Sequence, residues 1–335
     1  MTLDLDQKLL EASLKTDCAL VEEIIMKGAN PNAKYPETGE TPLMNACRTG
    51  CAGVIEVMLK YGADPTATDK NGRTPLHHSR STHAATLLLM YPFVKIDTKD
   101  NNGWTPLARA IMSNNTSMVA YFIEAGANIN ARVDNMGNAT MLHLAAIRSN
   151  EDIVQLLIDF GAKIDAVSEK QYTPLHCAAK YGNVKAIDLL IKAGADIEAT
   201  THKWFTPLHL GATQPDITRA LIDHGANIHA RSHTYRTPLL YALDTPQSLD
   251  YMLQAKADPN AEDVFGKSAL MVAVECGNAK SVQLLLDHNV LFRKSKDDYS
   301  PLNKAISMKN TPIATMLRLH LANRKRKRDA LDDDH

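Results

Sequence analysis

The chain is poor in aromatic residues: 2 Trp, 10 Tyr and 6 Phe among 335 positions, or 5%. Its core must therefore be filled by Leu, Ile, Val and Ala. It also lacks charge of one dominant sign. Lys plus Arg is 37 and Asp plus Glu is 38, a formal net charge of −1. That balance excludes a protein that coats DNA or an anionic membrane with its whole surface. No run approaches the ~18 consecutive apolar residues of a membrane span. The opening Met1-Thr2-Leu3-Asp4-Leu5-Asp6 has neither the basic nor the apolar region of a secretory leader. The five cysteines, at 18, 47, 51, 177 and 276, are odd in number and irregularly spaced. That pattern fits reduced thiols in a cytoplasmic or nuclear compartment.

What is present is a period. A tetrapeptide of the Thr-Pro-Leu-His type begins at Thr41, Thr74, Thr105, Thr140, Thr173, Thr206, Thr237, Ser268 and Ser300. The spacing stays close to 33 residues, as in a solenoid built from one repeated unit. A second signal, Gly-Ala followed by Asn, Asp or Lys, runs in step at Gly28, Gly62, Gly126, Gly161, Gly194 and Gly225. Thr before Pro predicts a helix start, because Thr supplies an N-cap oxygen and Pro tolerates the first helical position. Seven of the 15 prolines occupy that position. Gly after an apolar run such as Ala186–Ile191 predicts a left-handed helix end. Each unit thus reads as helix, turn, helix and an extended connector such as Asp69-Lys70-Asn71-Gly72.

These residues resemble the ankyrin repeat. Asp69–His77 match the family's opening, Asp-x-x-Gly-x-Thr-Pro-Leu-His, without a break, and Thr173–Asn183 match its middle. The resemblance covers roughly residues 5–322. It implies an all-α ankyrin-repeat solenoid of helix-turn-helix units with β-hairpin-like finger loops, about nine repeats plus an N-terminal cap. The expected divisions are a capping helix pair at 1–35, the repeat array at 36–322 and a charged, disordered tail at 323–335. Small residues such as Ala46, Ala110, Ala145 and Ala178 let the helices stack closely.

The departures from the pattern are expected to distort the fold locally. Repeats 2, 6 and 7 are short, with Pro215 and Pro246 where an inter-helix turn belongs. Repeat 4 has an extra residue near Gly137-Asn138-Ala139, and the tip glycine is replaced by Gln171, Trp204, Tyr235 and Asp298.

The sequence offers no catalytic constellation, no cofactor loop and no metal-ligand spacing. His77, His143, His176 and His209 share the fourth motif position and read as structural partners of the motif Thr. Cys47-x-x-x-Cys51 lacks a second pair. The expected role is therefore a non-enzymatic interaction module or adaptor, binding a protein partner through finger tips and concave face. Two rivals are a pathogen effector engaging a host protein and a nuclear factor associated with nucleic acid through its tail. Five basic charges beside an acidic run make a small footprint for nucleic acid.

Aromatic placement points to a surface. Just before the motif Thr or Ser come Trp104, Tyr172, Trp204, Phe205, Tyr235 and Tyr299, with Phe265 one place further back. Lys180, Tyr181 and Arg236 lie nearby. Trp, Tyr and Arg are enriched in binding hot spots, and a basic aromatic surface suits an acidic or extended peptide. The alternative is that these rings pack sideways on the next finger. Arg324, Lys325, Arg326, Lys327 and Arg328 form a basic run read as a nuclear-import signal or as a solvated tail. The family resemblance also marks Asn32, Asn130 and Asn260 as positions open to asparaginyl hydroxylation. The alternative there is an Asn bonded to its own turn.

Overall fold

Thr41, Thr105 and Thr173 sit in extended backbone, and each hydroxyl accepts from the amide three residues on. The donors are Met44 at 3.3 Å, Ala108 at 3.2 Å and His176 at 3.4 Å. The proline between occupies the first helical position, where no amide partner exists to be lost. At the other end of the helix pair, Gly194 and Gly225 have φ of 89° and 85°. A Cβ there would meet nothing within 4 Å, so the left-handed conformation alone selects glycine. Lys256 closes the same turn in repeat 7 at φ 69°.

The computed structural model describes residues 2–148, 150–288, 290–292 and 300–332. It divides into two compact units, residues 1–169 and 170–335. The first holds the cap helices Thr2–Ala12 and Cys18–Met26. Four pairs follow, with inner helices Pro42–Thr49, Pro75–His78, Pro106–Met112 and Met141–Arg148. Their outer partners are Ala52–Lys60, Thr82–Leu89, Thr116–Glu124 and Glu151–Asp159. Asn45 binds the cap to the first repeat, donating to the Leu10 carbonyl and to Ser13 Oγ at 3.1 and 3.0 Å. The second unit has inner helices Pro174–Tyr181, Pro207–Gly211, Pro238–Tyr241, Ala269–Cys276 and Pro301–Ser307. Its outer helices are Val184–Lys192, Pro215–Asp223, Pro246–Gln254, Ala279–Asp287 and Thr311–Asp332. Each unit is a stack of paired helices, with one short antiparallel strand pair in the first.

The third motif residue fills the core of each stack: Leu43, Leu76, Leu107 and Leu142 in the first, Leu175, Leu208, Leu239 and Leu270 in the second, all buried. Truncating one to Ala would cost about 2–5 kcal/mol. Ala46, Ala110, Ala145, Ala178, Ala273 and Ala305 are buried on the inner helices, and Ala242 is buried at the end of one. A larger side chain there would force the stack apart.

The departures are absorbed differently from the expectation. Pro215 and Pro246 do not occupy a turn. They open the outer helices, and the missing residues come out of the inner helices, which shrink to Pro207–Gly211 and Pro238–Tyr241. The early outer helix crowds Gly211, where a Cβ would fall 2.3 Å from Ile217 Cγ2. Gln171, Trp204 and Tyr235 keep the left-handed φ of the glycines they replace, at 56°, 57° and 59°. The fingers are therefore undistorted, and the residue carries the strain; Asp298 lies outside the described residues. The extra length of repeat 4 becomes a short antiparallel pair, Arg132–Val133 with Ala139–Thr140, closed by a 3-10 turn at Asp134–Met136. The expected disordered tail is instead helical backbone through Asp332. Residues 313–332 contain no Gly or Pro, and Arg, Lys, Ala and Leu are good helix formers.

Candidate binding surfaces

Three fingers are built around an Asp five places before the motif Thr or Ser. Asp69, Asp100 and Asp263 are buried there, and each carboxylate accepts amides two and four residues on, at 2.8–3.1 Å. Successive fingers are joined by single backbone bonds. In the first unit Lys70 donates to the Thr38 carbonyl and Asn101 to Asn71, both at 2.9 Å. In the second unit His233 donates to Lys203 at 2.9 Å and Val264 to Thr234 at 3.1 Å.

This geometry separates the candidate residues into two sets. The residue directly before the motif Thr turns back against the inner helix. Trp104, Tyr172, Phe205 and Arg236 are only half-exposed. Arg109 lies over the Trp104 ring at 5.2 Å, and Tyr172 meets His176 at 5.8 Å. Phe205 packs on Tyr241 and His209 at 5.6 and 5.8 Å. Arg236 donates to Asp263 at 3.1 Å and covers Tyr241 at 5.8 Å. Trp104 and Tyr172 thus pack on their own inner helix, Phe205 and Arg236 reach the next repeat, and none of the four stands out as a tip.

The residue one step earlier points out. Trp204 and Tyr235 are each 52% exposed, and Phe265, at the next finger, is 62% exposed. The Trp204 ring meets His233 edge-on at 5.6 Å, and Arg231 lies 5.8 Å from the Tyr235 ring. Tyr181, also 52% exposed, sits at the end of an inner helix with Lys180 5.5 Å from its ring. Tyr299 lies outside the described residues.

The motif histidines join repeats. Nδ1 of His77 accepts from the Thr74 amide at 3.1 Å and from its hydroxyl at 2.9 Å. That leaves Nε2–H to donate to the Trp104 carbonyl of the next finger at 3.0 Å. His209 repeats the arrangement between Thr206 and the Arg236 carbonyl, and His176 reaches the Phe205 carbonyl at 2.8 Å. Both ring nitrogens are used, so the neutral imidazole is the form that fits. Burial pushes His77 and His209 down to about 4.

Family models agree with this geometry. One described as ankyrin repeats in three copies matches residues 9–99, 131–201 and 244–329, and one described as the ankyrin repeat matches 102–134 and 203–233. The chain belongs to the ankyrin-repeat family. Among curated proteins it is similar to Protein fem-1 homolog C of Homo sapiens, 33% identical over 97 residues, 25% of this chain and 15% of that protein. It is similar to Rabankyrin-5 of Mus musculus, 30% identical over 94 residues, 28% of this chain and 8% of that protein. It also resembles an ankyrin repeat-containing protein of Schizosaccharomyces pombe, 41% identical over 75 residues, 22% of this chain and 31% of that protein. The chain thus spans a minor part of each relative. Ankyrin repeats are protein–protein interaction modules, and no catalytic family matches.

The remaining candidates fall into place on the ankyrin frame. Asn32, Asn130 and Asn260 are not bonded to their own turns by their side chains. Asn32 Oδ1 accepts from the Asp64 amide at 2.7 Å and its Nδ2 donates to the Gly62 carbonyl at 2.9 Å, both in the following repeat. Asn130 accepts from Lys163 and Asn260 from Leu291 in the same way. The turn itself is closed two residues earlier, by Asn30, Asn128 and Asp258. The basic run lies within the last helix, where Arg324, Lys325 and Arg326 are exposed and Arg324 donates to the Val290 carbonyl at 3.3 Å. The side chains of Lys327 and Arg328 lie outside the described residues. Cys47 and Cys177 are buried thiols pushed up to about 12, too high for a reactive thiolate at neutral pH. Among the described residues, no helix is long and apolar enough to cross a membrane.

Proposed function

We propose that the second unit holds a protein partner on the ridge made by Trp204, Tyr235 and Phe265, and that the chain acts as an adaptor without covalent chemistry. One observation carries this reading. Trp204 and Tyr235 occupy left-handed backbone that suits glycine, yet each leaves a large ring half in water. Holding a non-glycine residue there costs about 1 kcal/mol, which the contact each ring makes with His233 or Arg231 at most offsets, with no net gain in stability. Recognition of a partner gives that cost a purpose. His202, Lys203, Arg231 and His233 are exposed around the rings, a setting suited to an acidic or extended peptide.

The test is crosslinked capture followed by mass spectrometry. Wild type is compared with a Trp204→Ala, Tyr235→Ala, Phe265→Ala variant of matched helicity. A partner captured by wild type and lost in the variant supports the ridge. A partner retained by the variant overturns it.

A further inference from the structure

The second repeat is cut short on its inner side. Pro42–Thr49 and Pro106–Met112 flank an inner helix of only four residues, Pro75–His78. Above it opens a notch of about 470 Å³, lined by Arg48, Arg73, Arg80 and Arg109 from three consecutive repeats.

The charges are layered. The Asp100 and Asp69 side chains are 0% and 2% exposed, whereas those of Arg73 and Arg109 are 30% exposed. Asp100 accepts from Arg109 Nη2 at 2.5 Å, and Arg73 Nε stands 3.8 Å away. Asp69 accepts from His78 Nε2 at 3.2 Å, and Arg48 bonds Glu40 at the rim and His78 Nδ1. Carboxylates thus lie beneath and guanidiniums above. Glu40, Asp69 and His78 come together as metal ligands could, but the Arg48 guanidinium already stands against Glu40 and His78.

Two further features leave the arginines unsatisfied. Buried Nε donors of Arg73 and Arg109 have no hydrogen-bond partner. Arg80 is exposed and forms no ion pair among the described residues. Burial holds His77 and His78 low, so both are neutral at pH 7. Four arginines against Glu40, Asp69 and Asp100 then leave one positive charge uncompensated. Met112 and Met118 also line the notch, and an apolar wall strengthens any charge contact beside it.

We infer that this notch receives a single carboxylate side chain from an acidic segment of a protein partner. One spare charge matches a monoanion, and planar guanidiniums match a carboxylate in two-point contact. A phosphate dianion would be left half-compensated. A second cavity of about 930 Å³ shares Glu40 and Arg48 and is lined by Leu10, Leu14 and Tyr35 together with Asp6, Lys34 and Glu37, so only the single carboxylate of the segment is assigned to the notch. The assignment is independent of the aromatic ridge in the second unit.

The test is fluorescence anisotropy of the full chain with fluorescein-labelled hexaglutamate as the probe. Arg80→Glu should weaken binding by about tenfold or more, and Glu40→Gln should strengthen it several-fold by freeing Arg48. Arg219→Glu, an exposed arginine of the other unit, should change nothing. Butyrate, a monocarboxylate, should compete and inorganic phosphate should not. Urea midpoints confirm that each variant is folded. Absence of binding, equal loss in Arg80→Glu and Arg219→Glu, unchanged binding in Glu40→Gln, or better competition by phosphate would each overturn the assignment.

Discussion

Trp204 and Phe205 are neighbours in the chain with opposite roles, and substitutions can separate them. Trp204→Gly and Trp204→Ala remove the same ring and the same edge contact with His233, worth roughly 0.5–1 kcal/mol. They differ only in how the new residue tolerates φ 57°. Glycine adopts that conformation freely, while alanine bears a left-handed cost of 1–2 kcal/mol, partly offset by its smaller unfolded-state entropy. Trp204→Gly should therefore be more stable than Trp204→Ala by about 1 kcal/mol, and close to wild type. Phe205→Ala should behave differently, because its half-buried ring packs between His209 and Tyr241. Its loss should cost about 2 kcal/mol or more. The assay is urea unfolding followed by far-UV circular dichroism, with midpoints compared at unchanged slope. Partner capture is measured in parallel, and both Trp204 variants should lose it. If Trp204→Ala proves as stable as Trp204→Gly, the argument from backbone strain is refuted, and the case for the ridge loses its physical basis.

Other expectations follow from the buried polar groups. His77 and His209 fall from an unfolded value near 6.5 to about 4 in the fold, so the unfolded chain binds more protons between those limits. Stability should be level above pH ~6.5 and decline as pH drops toward ~4, by up to about 3 kcal/mol per histidine; a urea midpoint constant from pH 7 to 4.5 would contradict this. Asp100→Asn should destabilise the first unit by about 3 kcal/mol, because Arg73 and Arg109 lose their common buried counter-charge; thermal unfolding reads this directly. Asn130→Ala should cost about 1 kcal/mol by stranding the Lys163 amide, and an intact-peptide mass spectrum without added oxygen on Asn32, Asn130 and Asn260 would dismiss hydroxylation there. Replacing Arg324–Arg328 with Ala should lower nuclear accumulation of a fluorescent fusion, and an unchanged distribution would dismiss the import reading.

The helix starts were legible because a Thr followed by Pro satisfies local rules that need no distant partner. The buried alanines were legible for the same reason, since their period reports the stacking face. Depth at the fingers was not. Trp104 and Trp204 look alike in the sequence, each just before a motif Thr, yet only the one on the left-handed residue faces outward. A single step along the finger reverses the direction of the side chain. The arginine notch was hidden differently. Arg48, Arg73, Arg80 and Arg109 each read as a solvated charge, and they converge only because the shortfall of repeat 2 is taken from its inner helix. The shortfall was visible as a spacing, but not which helix would supply it. The bonds of Asn32, Asn130 and Asn260 to the next repeat leave no local trace in the sequence, which offers only their own turns as partners.

The histidine bridges carry a consequence for how such a chain can change. Each imidazole addresses the carbonyl of the residue before the next motif, and every amino acid supplies that atom. The receiving positions here are Trp104, Phe205 and Arg236, three unrelated side chains held by one identical bond. Asn32, Asn130 and Asn260 likewise address main-chain groups of their neighbours. The adhesive between neighbouring repeats is thus indifferent to the identity of the residue it grips. Chemistry facing a partner can be rewritten at that residue while the joint beneath it persists, so one scaffold can acquire an aromatic crest in one half and a cationic niche in the other.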